Sequence, residues 1–219
     1  MNNGIVIQMI KYISENMNSY RSSIFEHIGL SALALLVAVA IGIPFGYASV
    51  KYKKHEKTIV SFFQVLRIIP SLAVLILLIP LMGTGIKPAL TALILLAIPP
   101  ILMNTAAGLH EVPGFMLETA YGMGMTDRQV LLKIKIPLAL PLILTGVKTA
   151  MIEIIASATL ASKIGAGGLG DIIFTGLGLN RTDLLLVGGI SVALLSIMAT
   201  GLLELLDRQL MKYKYLKKE

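Results

Sequence analysis

The chain has 219 residues, of which 56% are hydrophobic and 14% are charged, whereas soluble domains average about 45–50% and about 25%. This composition argues against a soluble domain, and the absence of cysteine excludes disulfides and thiolate metal sites. The net charge of +7 does not indicate nucleic-acid binding, because the basic residues flank apolar segments and no aromatic side chains alternate with them. The three histidines are scattered without metal-ligand spacing, so we expect neither a metal site nor a cofactor.

The N-terminal segment, residues 1–27, is predicted to lie outside the hydrocarbon core. Its first 24 residues combine apolar positions at a helical period with Lys11, Glu15 and Arg21, which favours a short amphipathic helix at the interface or a mobile leader. They lack the basic, apolar and small-residue succession of a cleavable signal peptide.

Apolar runs long enough to cross about 30 Å of hydrocarbon make up most of the remaining chain. They predict an all-α integral membrane domain over residues 28–206 with about five transmembrane helices. The runs cover residues 28–50, 58–82, 88–109, 138–161 and 184–206.

Positive charge predicts the orientation of these spans. A basic loop at 51–57 and a basic tail at 207–219 hold many of the 19 Lys and Arg residues, and cytoplasmic loops are enriched in these residues. With five spans, the N-terminus is then outside, and the connection 110–137 and the C-terminal tail are cytosolic. We therefore expect a multi-pass protein of the cytoplasmic membrane.

The longest polar interior segment is ETAYGMGMTDRQVLLKIKIP at 118–137. Its spacing resembles the Glu-Ala-Ala ("EAA") loop of ATP-binding-cassette importer permeases, in which a glycine is followed after nine residues by Ile-x-Leu-Pro. Thr119 and Ile136 depart from that pattern. The resemblance implies that this loop couples the chain to an ATPase, through the residues that fulfil the pattern: Glu118, Ala120, Gly124, Ile134 and Pro137.

The residues themselves suggest how this loop is built. Residues 115–125 can form a short helix, Gly124 permits close approach or a left-handed turn, and Pro137 is expected to stop the next span from extending back into the loop. An ordinary amphipathic connection is the alternative.

Two further stretches resemble permeases for quaternary-ammonium osmoprotectants such as glycine betaine, choline and carnitine. They are RIIPSLA at 67–73 and ATLASKIGAGGLGDIIFTGL at 158–177. The glycine cluster is not a phosphate loop, because no Gly-Lys-Ser/Thr follows it. The resemblance implies a MetI-like fold, a second membrane subunit that is identical or related, cytosolic ATPase subunits in which ATP is hydrolysed, and an extracytoplasmic solute-binding protein.

Polar residues inside the spans are candidates for the solute path or its gate. An ionisable group at the bilayer centre costs about 2.5–3.5 kcal/mol, so Arg67, Lys148 and Glu153 need partners or water. Lys148 and Glu153 are five residues apart, which disfavours a pair within one helix. For Glu153, attraction of a cationic head group and a hydrogen bond to a neighbouring helix both stay open. The full candidate set is Arg67, Pro70, Ser71, Glu153, Gly167 and Gly168.

Prolines are expected to interrupt several spans: Pro70 the second, Pro99 and Pro100 the third, and Pro141 the start of the fourth. Broken helices often surround a solute path, although kinks that only help a bundle to pack are an equally good interpretation.

The aromatic residues suggest that solute is held weakly. There is no Trp, and the tyrosines fall at span ends or in polar segments, so the aromatic cage that usually holds a methylated ammonium is missing. This suits a permease that receives solute from a binding protein. A permease for another small solute, such as an amino-acid derivative, stays open. A secondary transporter or a membrane enzyme is less favoured, because neither an internal repeat nor a cluster of catalytic groups is evident.

Overall fold

The computed structural model describes residues 2–211, with side-chain surroundings from Gly4 onwards; the predicted tail beyond Met211 lies outside the described residues. This part of the chain is helical, with no strand. A π-helical turn (Leu131–Lys135) precedes α8 and a 3₁₀ turn (Ser162–Ile164) follows it. The α-helices are α1 (Asn2–Glu15), α2 (Met17–Lys51), α3 (Lys53–Ile68), α4 (Ser71–Met82), α5 (Ile86–His110), α6 (Gly114–Gly122), α7 (Asp127–Val130), α8 (Ile136–Ala161), α9 (Leu169–Gly178) and α10 (Thr182–Leu210).

Four helical segments are long and apolar enough to cross a membrane, and a bent pair can form a fifth span. The four are α2, α5, the segment Asp127–Ile164 that contains α8, and α10; the pair is α3 with α4, bent by 95°. The all-α fold with about five spans is therefore confirmed. The first long helix begins at Met17, well before the predicted 28, and only Asn16 separates it from the amphipathic α1.

Prolines interrupt fewer spans than predicted. The chain is broken at Pro70, but α5 is continuous through Pro99 and Pro100, and α8 is continuous through Pro141. The difference follows packing: Pro99 and Pro100 are buried, so neighbouring helices hold α5 on both sides of them, whereas no residue of α3 is buried. Tertiary contacts can hold a helix through a proline that would otherwise end it.

The expectation that Pro137 stops the fourth span is also wrong. Helix continues without a break from Asp127 to Ile164. The π-helical turn ends at Lys135, two residues before Pro137, and its wider spacing relieves the clash that a proline ring makes with the preceding turn. The span therefore reaches back into the predicted loop.

The core forms around α5, which lies between α2 and α8, and small residues let the three helices approach closely. A Cβ on Gly46 of α2 would lie 2.7 Å from Cβ of Thr105, and one on Gly146 of α8 would lie 2.8 Å from Cβ of Asn104. Small residues at such contacts are how helices pack in lipid, where apolar burial gives little drive.

Contacts between chain-distant residues define two ends of the bundle. At the first, the Lys51 end, a hydrogen bond joins His110 Nε2 to Glu56 Oε1, so the C-terminus of α5 lies beside the start of α3. At the other, the Gly168 end, the Gly85 N–H donates to the Ile164 carbonyl at 2.6 Å. Successive spans therefore alternate in direction.

Candidate functional site

The break at Pro70 opens a cavity between the bent pair and α8. Ile69 is extended (φ −71°, ψ 124°), as the residue before a proline tends to be, and α4 starts at Ser71 in a new direction. The cavity has a volume of about 340 Å³. Its lining includes four of the six predicted path residues, which are Arg67, Pro70, Ser71 and Glu153, together with Ser157.

An ion pair forms one side of this cavity. Arg67 Nη2 donates to Glu153 Oε1 at 3.0 Å, joining α3 to α8. The two side chains are 48% and 34% exposed. Each charge thus has the partner that the sequence required, and both can still be reached from the cavity.

Ser157 adds a hydroxyl to the same wall. It lies one turn after Glu153 on α8 and is only 9% exposed. Among the residues that the structure describes, its side chain has no hydrogen-bond partner. Because Ser157 lines the cavity, its hydroxyl is available to a molecule inside it.

Gly167 and Gly168 lie elsewhere, at the Gly168 end. Both have positive φ, 76° and 86°, which favours glycine. The Gly168 N–H donates to Glu26 Oε2 at 3.0 Å, and a Cβ on Gly168 would lie 3.2 Å from Nδ1 of the buried His27. The structure therefore divides the predicted path residues into two groups.

Glu26 and His27 were not found from the sequence, although they form an adjacent polar pair at the start of an apolar run. His27 Nε2 lies 3.1 Å from the Ile155 carbonyl, so this pair pins the start of α2 to both α8 and the glycine turn. Nearby, burial and the Glu26 carboxylate raise the pKa of Asp171 above its usual value.

Lys148 also has a partner that sequence reasoning missed. Its Nζ donates to Asp207 Oδ2 at 2.5 Å, between α8 and α10. The sequence placed Asp207 at the start of a polar tail, but α10 continues to Leu210 and Asp207 is buried. One feature of the sequence could have indicated this pair. Asp207 is an isolated acidic residue at the end of a span, and Lys148 is a lysine inside a span that needs a partner. As expected, Lys148 and Glu153 do not pair with each other.

The five residues of the predicted coupling pattern occupy a helix, a turn and the start of a span at the Lys51 end. Ala120 in α6 is buried, whereas Glu118 is exposed. Gly124 has φ 80°, and its turn closes with a hydrogen bond from the Met125 N–H to the Ala120 carbonyl at 3.1 Å. Ile134 lies in the π-helical turn, and Pro137 is the second residue of α8.

Local hydrogen bonds fix the shape of this segment. Thr126 and Gln129 form a reciprocal cap at the start of α7. The Tyr121 hydroxyl donates to Asp127 Oδ1 at 2.9 Å, and this bond raises the pKa of the phenol. On its outer surface, Phe115 and Met123 are strongly exposed. The result is a surface segment closed by its own hydrogen bonds and carrying exposed apolar side chains.

The described residues contain no group of three His, Asp or Glu side chains that could hold a metal ion. What the geometry offers is a set of membrane-spanning helices, a polar cavity at a helix break and a projecting helix at one end. These features define a membrane transport component.

The comparisons with known proteins identify its family. Residues 38–212 match the family model described as "binding-protein-dependent transport system inner membrane component". The chain belongs to this family, and it is a permease component of an ATP-binding-cassette importer.

Named relatives cover nearly the whole chain. It is 36% identical over 202 residues to the choline transport system permease protein OpuBB of Bacillus subtilis, covering 92% of this chain and 93% of that protein. It is 38% identical over 199 residues to the carnitine transport permease protein OpuCB of Listeria monocytogenes, covering 90% and 91%. The fold resembles an inward-facing structure of the MetNI methionine ABC transporter, with a TM-score of 0.76, 23% identity and coverage of 90% of this chain and 97% of that one.

Proposed function

We propose that this chain translocates a quaternary-ammonium osmoprotectant of the glycine betaine, carnitine or choline type. The observation that carries the proposal is the Pro70 cavity, where an accessible carboxylate, that of Glu153, is available to a cationic head group. The names of the relatives, one for choline and one for carnitine, support the same solute class. Pro70 and Ser71 shape this cavity, and Gly167 and Gly168 form a second candidate part of the path, near the Gly168 end.

The proposed transport requires partner proteins for ATP hydrolysis and for delivery of the solute. We propose two cytosolic ATPase subunits, a second membrane subunit that is identical or related, and an extracytoplasmic binding protein that delivers solute. The family is named for its dependence on a binding protein. No aromatic residue is among those that line the Pro70 cavity, which is consistent with weak retention of a solute that another protein has captured.

The proposed orientation places the Lys51 end in the cytosol. Lys51, Lys53, Arg128 and Lys133 all belong to this end, and the positive-inside rule favours the cytosolic side for such a cluster. The predicted bounds at 27/28 and 206/207 fall inside α2 and α10, so we propose α1 and the start of α2 as the extracytoplasmic or interfacial segment and the residues after α10 as the cytosolic tail. The N-terminus is outside.

The segment around α6 is the proposed contact with the ATPase. Glu118 and Gly124 lie on its surface, Ala120 anchors it, and Ile134 and Pro137 join it to the long helix that carries Glu153. Because Asp127–Ile164 is one continuous helical segment, a push on α6 can be transmitted to the cavity wall. Rocking of packed helices about a central path is a general scheme for alternating access.

A pair of glycine substitutions tests this coupling. Gly124→Trp places a large side chain on the proposed contact surface, where a Cβ meets nothing within 4 Å. Gly83→Trp is its matched control, because Gly83 has a similar φ of 77° and equally open surroundings at the opposite end. Backbone strain is thus alike in the two variants.

The complex, with its ATPase and binding protein, would be reconstituted in liposomes. Binding of the ATPase to the membrane part, ATP hydrolysis and uptake of labelled glycine betaine, carnitine and choline are measured. We expect Gly124→Trp to weaken ATPase binding or to leave ATP hydrolysis uncoupled from uptake, whereas Gly83→Trp binds the ATPase normally. Normal coupled transport by Gly124→Trp would disprove the contact. No uptake of any of the three solutes, with hydrolysis still stimulated by the binding protein, would disprove the solute class.

A further inference from the structure

The relatives leave the charge type of the solute open. One is named for choline, which is a cation, and another for carnitine, which carries both an ammonium and a carboxylate. We propose that the cavity at Pro70 selects zwitterions, with the solute's ammonium against Glu153 and its carboxylate against Arg67. This inference rests on the proposed function and names the solute type within it.

The ion pair can be exchanged for a solute because it is held loosely. Of the five N–H donors of Arg67, one is engaged within the described part of the chain, and Glu153 uses one of its two oxygens. Ion pairs with side chains this exposed contribute about 0–1 kcal/mol. A zwitterion can therefore replace each protein charge by its own opposite charge at little cost.

The broken helix orients the two ends of such a solute. The last carbonyls of α3 carry the partial negative charge of a helix C-terminus, and the first N–H groups of α4 carry the partial positive charge of an N-terminus. The two ends meet at Pro70, on the cavity wall. Half-helix N-termini attract anionic solute groups in other transporters, so the start of α4 directs the carboxylate towards Ser71.

The hydroxyl of Ser157 is a further hydrogen-bonding group that a polar molecule in the cavity can reach. It lines the cavity, is 9% exposed and has no partner among the residues that the structure describes. A carboxylate or water entering with the solute would satisfy it. The volume of about 340 Å³ lies at the small end of ligand sites, which run from about 300 to 1,000 Å³.

Charge balance then separates the two solute types. A cation that pairs with Glu153 displaces Arg67 and leaves the guanidinium without a counterion in the cavity. A zwitterion satisfies both residues and brings no net charge. Selectivity of this kind comes from a penalty on the wrong solute, which is an unpaired charge.

The test compares uptake of labelled glycine betaine with that of labelled choline by the full reconstituted importer. Arg67→Gln removes the group that penalises a cation, so we expect the glycine betaine to choline uptake ratio to fall severalfold, by up to about fivefold, which corresponds to about 1 kcal/mol. Glu153→Gln should lower uptake of both solutes, since both carry an ammonium. The control variants are Arg208→Gln and Glu204→Gln, an exposed ion pair on α10 away from the cavity.

A second measurement excludes selectivity that belongs to the binding protein. The membrane and ATPase subunits alone, in detergent, are heated with millimolar glycine betaine, choline or 3,3-dimethylbutyrate, a carboxylate of the same shape as glycine betaine but without the ammonium charge. We expect glycine betaine to raise the unfolding temperature most, and Arg67→Gln to remove that preference. Arg67→Gln combined with Glu153→Gln leaves no charge unpaired and is used where a single variant fails to fold; glycine betaine should then have no advantage over choline.

Equal stabilisation by all three compounds, or an uptake ratio in Arg67→Gln that matches the Arg208→Gln control, would overturn the zwitterion inference while leaving the osmoprotectant function standing. Failure of the wild-type importer to take up either solute, with ATP hydrolysis still stimulated by the binding protein, would overturn both.

Discussion

Two ion pairs tie α8 to its neighbours, and their surroundings differ. Lys148 and Asp207 have side chains 23% and 10% exposed and lie 2.5 Å apart, whereas Arg67 and Glu153 are 48% and 34% exposed beside a cavity. A desolvated pair must stay intact, because a lone buried charge is costly. A wettable pair can open. The side of α8 that carries Lys148 therefore stabilises the fold, whereas Glu153, on the side that faces the cavity, can exchange Arg67 for a solute.

Breaking the enclosed pair should have the largest effect on stability. Lys148→Met leaves Asp207 buried without its cation, and we expect the free energy of unfolding to fall by about 3 kcal/mol. Lys148→Met combined with Asp207→Leu should recover most of that loss, because no charge is then stranded. Denaturant unfolding of the purified chain in micelles measures both. A double variant no more stable than the single one would contradict a scaffold role for this pair.

The close approach of α8 to α5 gives the next largest effect. A Cβ on Gly146 would lie 2.8 Å from both Cβ of Asn104 and the Pro100 carbonyl, so Gly146→Ala forces the helices apart and should cost about 1–3 kcal/mol. Gly201→Ala on α10 is the matched control, since nothing lies within 4 Å of its Cβ. Alanine favours helix over glycine by about 1 kcal/mol, so the control should gain stability. Equal shifts in the unfolding midpoint of the two variants would show that the helices do not touch here.

Local patterns in the sequence predicted the parts of the fold that depend on local chemistry. The lengths of the apolar runs predicted the spans, because every segment that crosses a membrane must satisfy its own backbone hydrogen bonds. Pro70 predicted the break between α3 and α4. The same reasoning failed at Pro99 and Pro137, where packing and a π-helical turn keep the chain helical.

The candidate site was predictable only in part, for the same reason. Arg67 and Glu153 were both recognised as needing partners, but their pairing depends on a contact between residues 86 apart in the chain. Asp207 and Glu26 were missed because each looked like an ordinary end-of-span charge. Their roles depend on Lys148 and Gly168, which only the folded arrangement brings near.

The smallest stability change is expected at the accessible pair. Glu153→Gln keeps the shape of the side chain and removes a charge whose partner can be solvated, so the free energy of unfolding should change by less than about 1 kcal/mol. Arg67→Gln should change the free energy of unfolding by a similarly small amount. In the double variant, Arg67→Gln with Glu153→Gln, the two changes should be nearly additive. The same micelle unfolding experiment measures all three, with Lys148→Met as the reference for a stranded charge. A loss at Glu153 as large as that at Lys148 would mean that both sides of α8 are scaffold, because a pair that cannot open without unfolding the chain cannot yield to a solute.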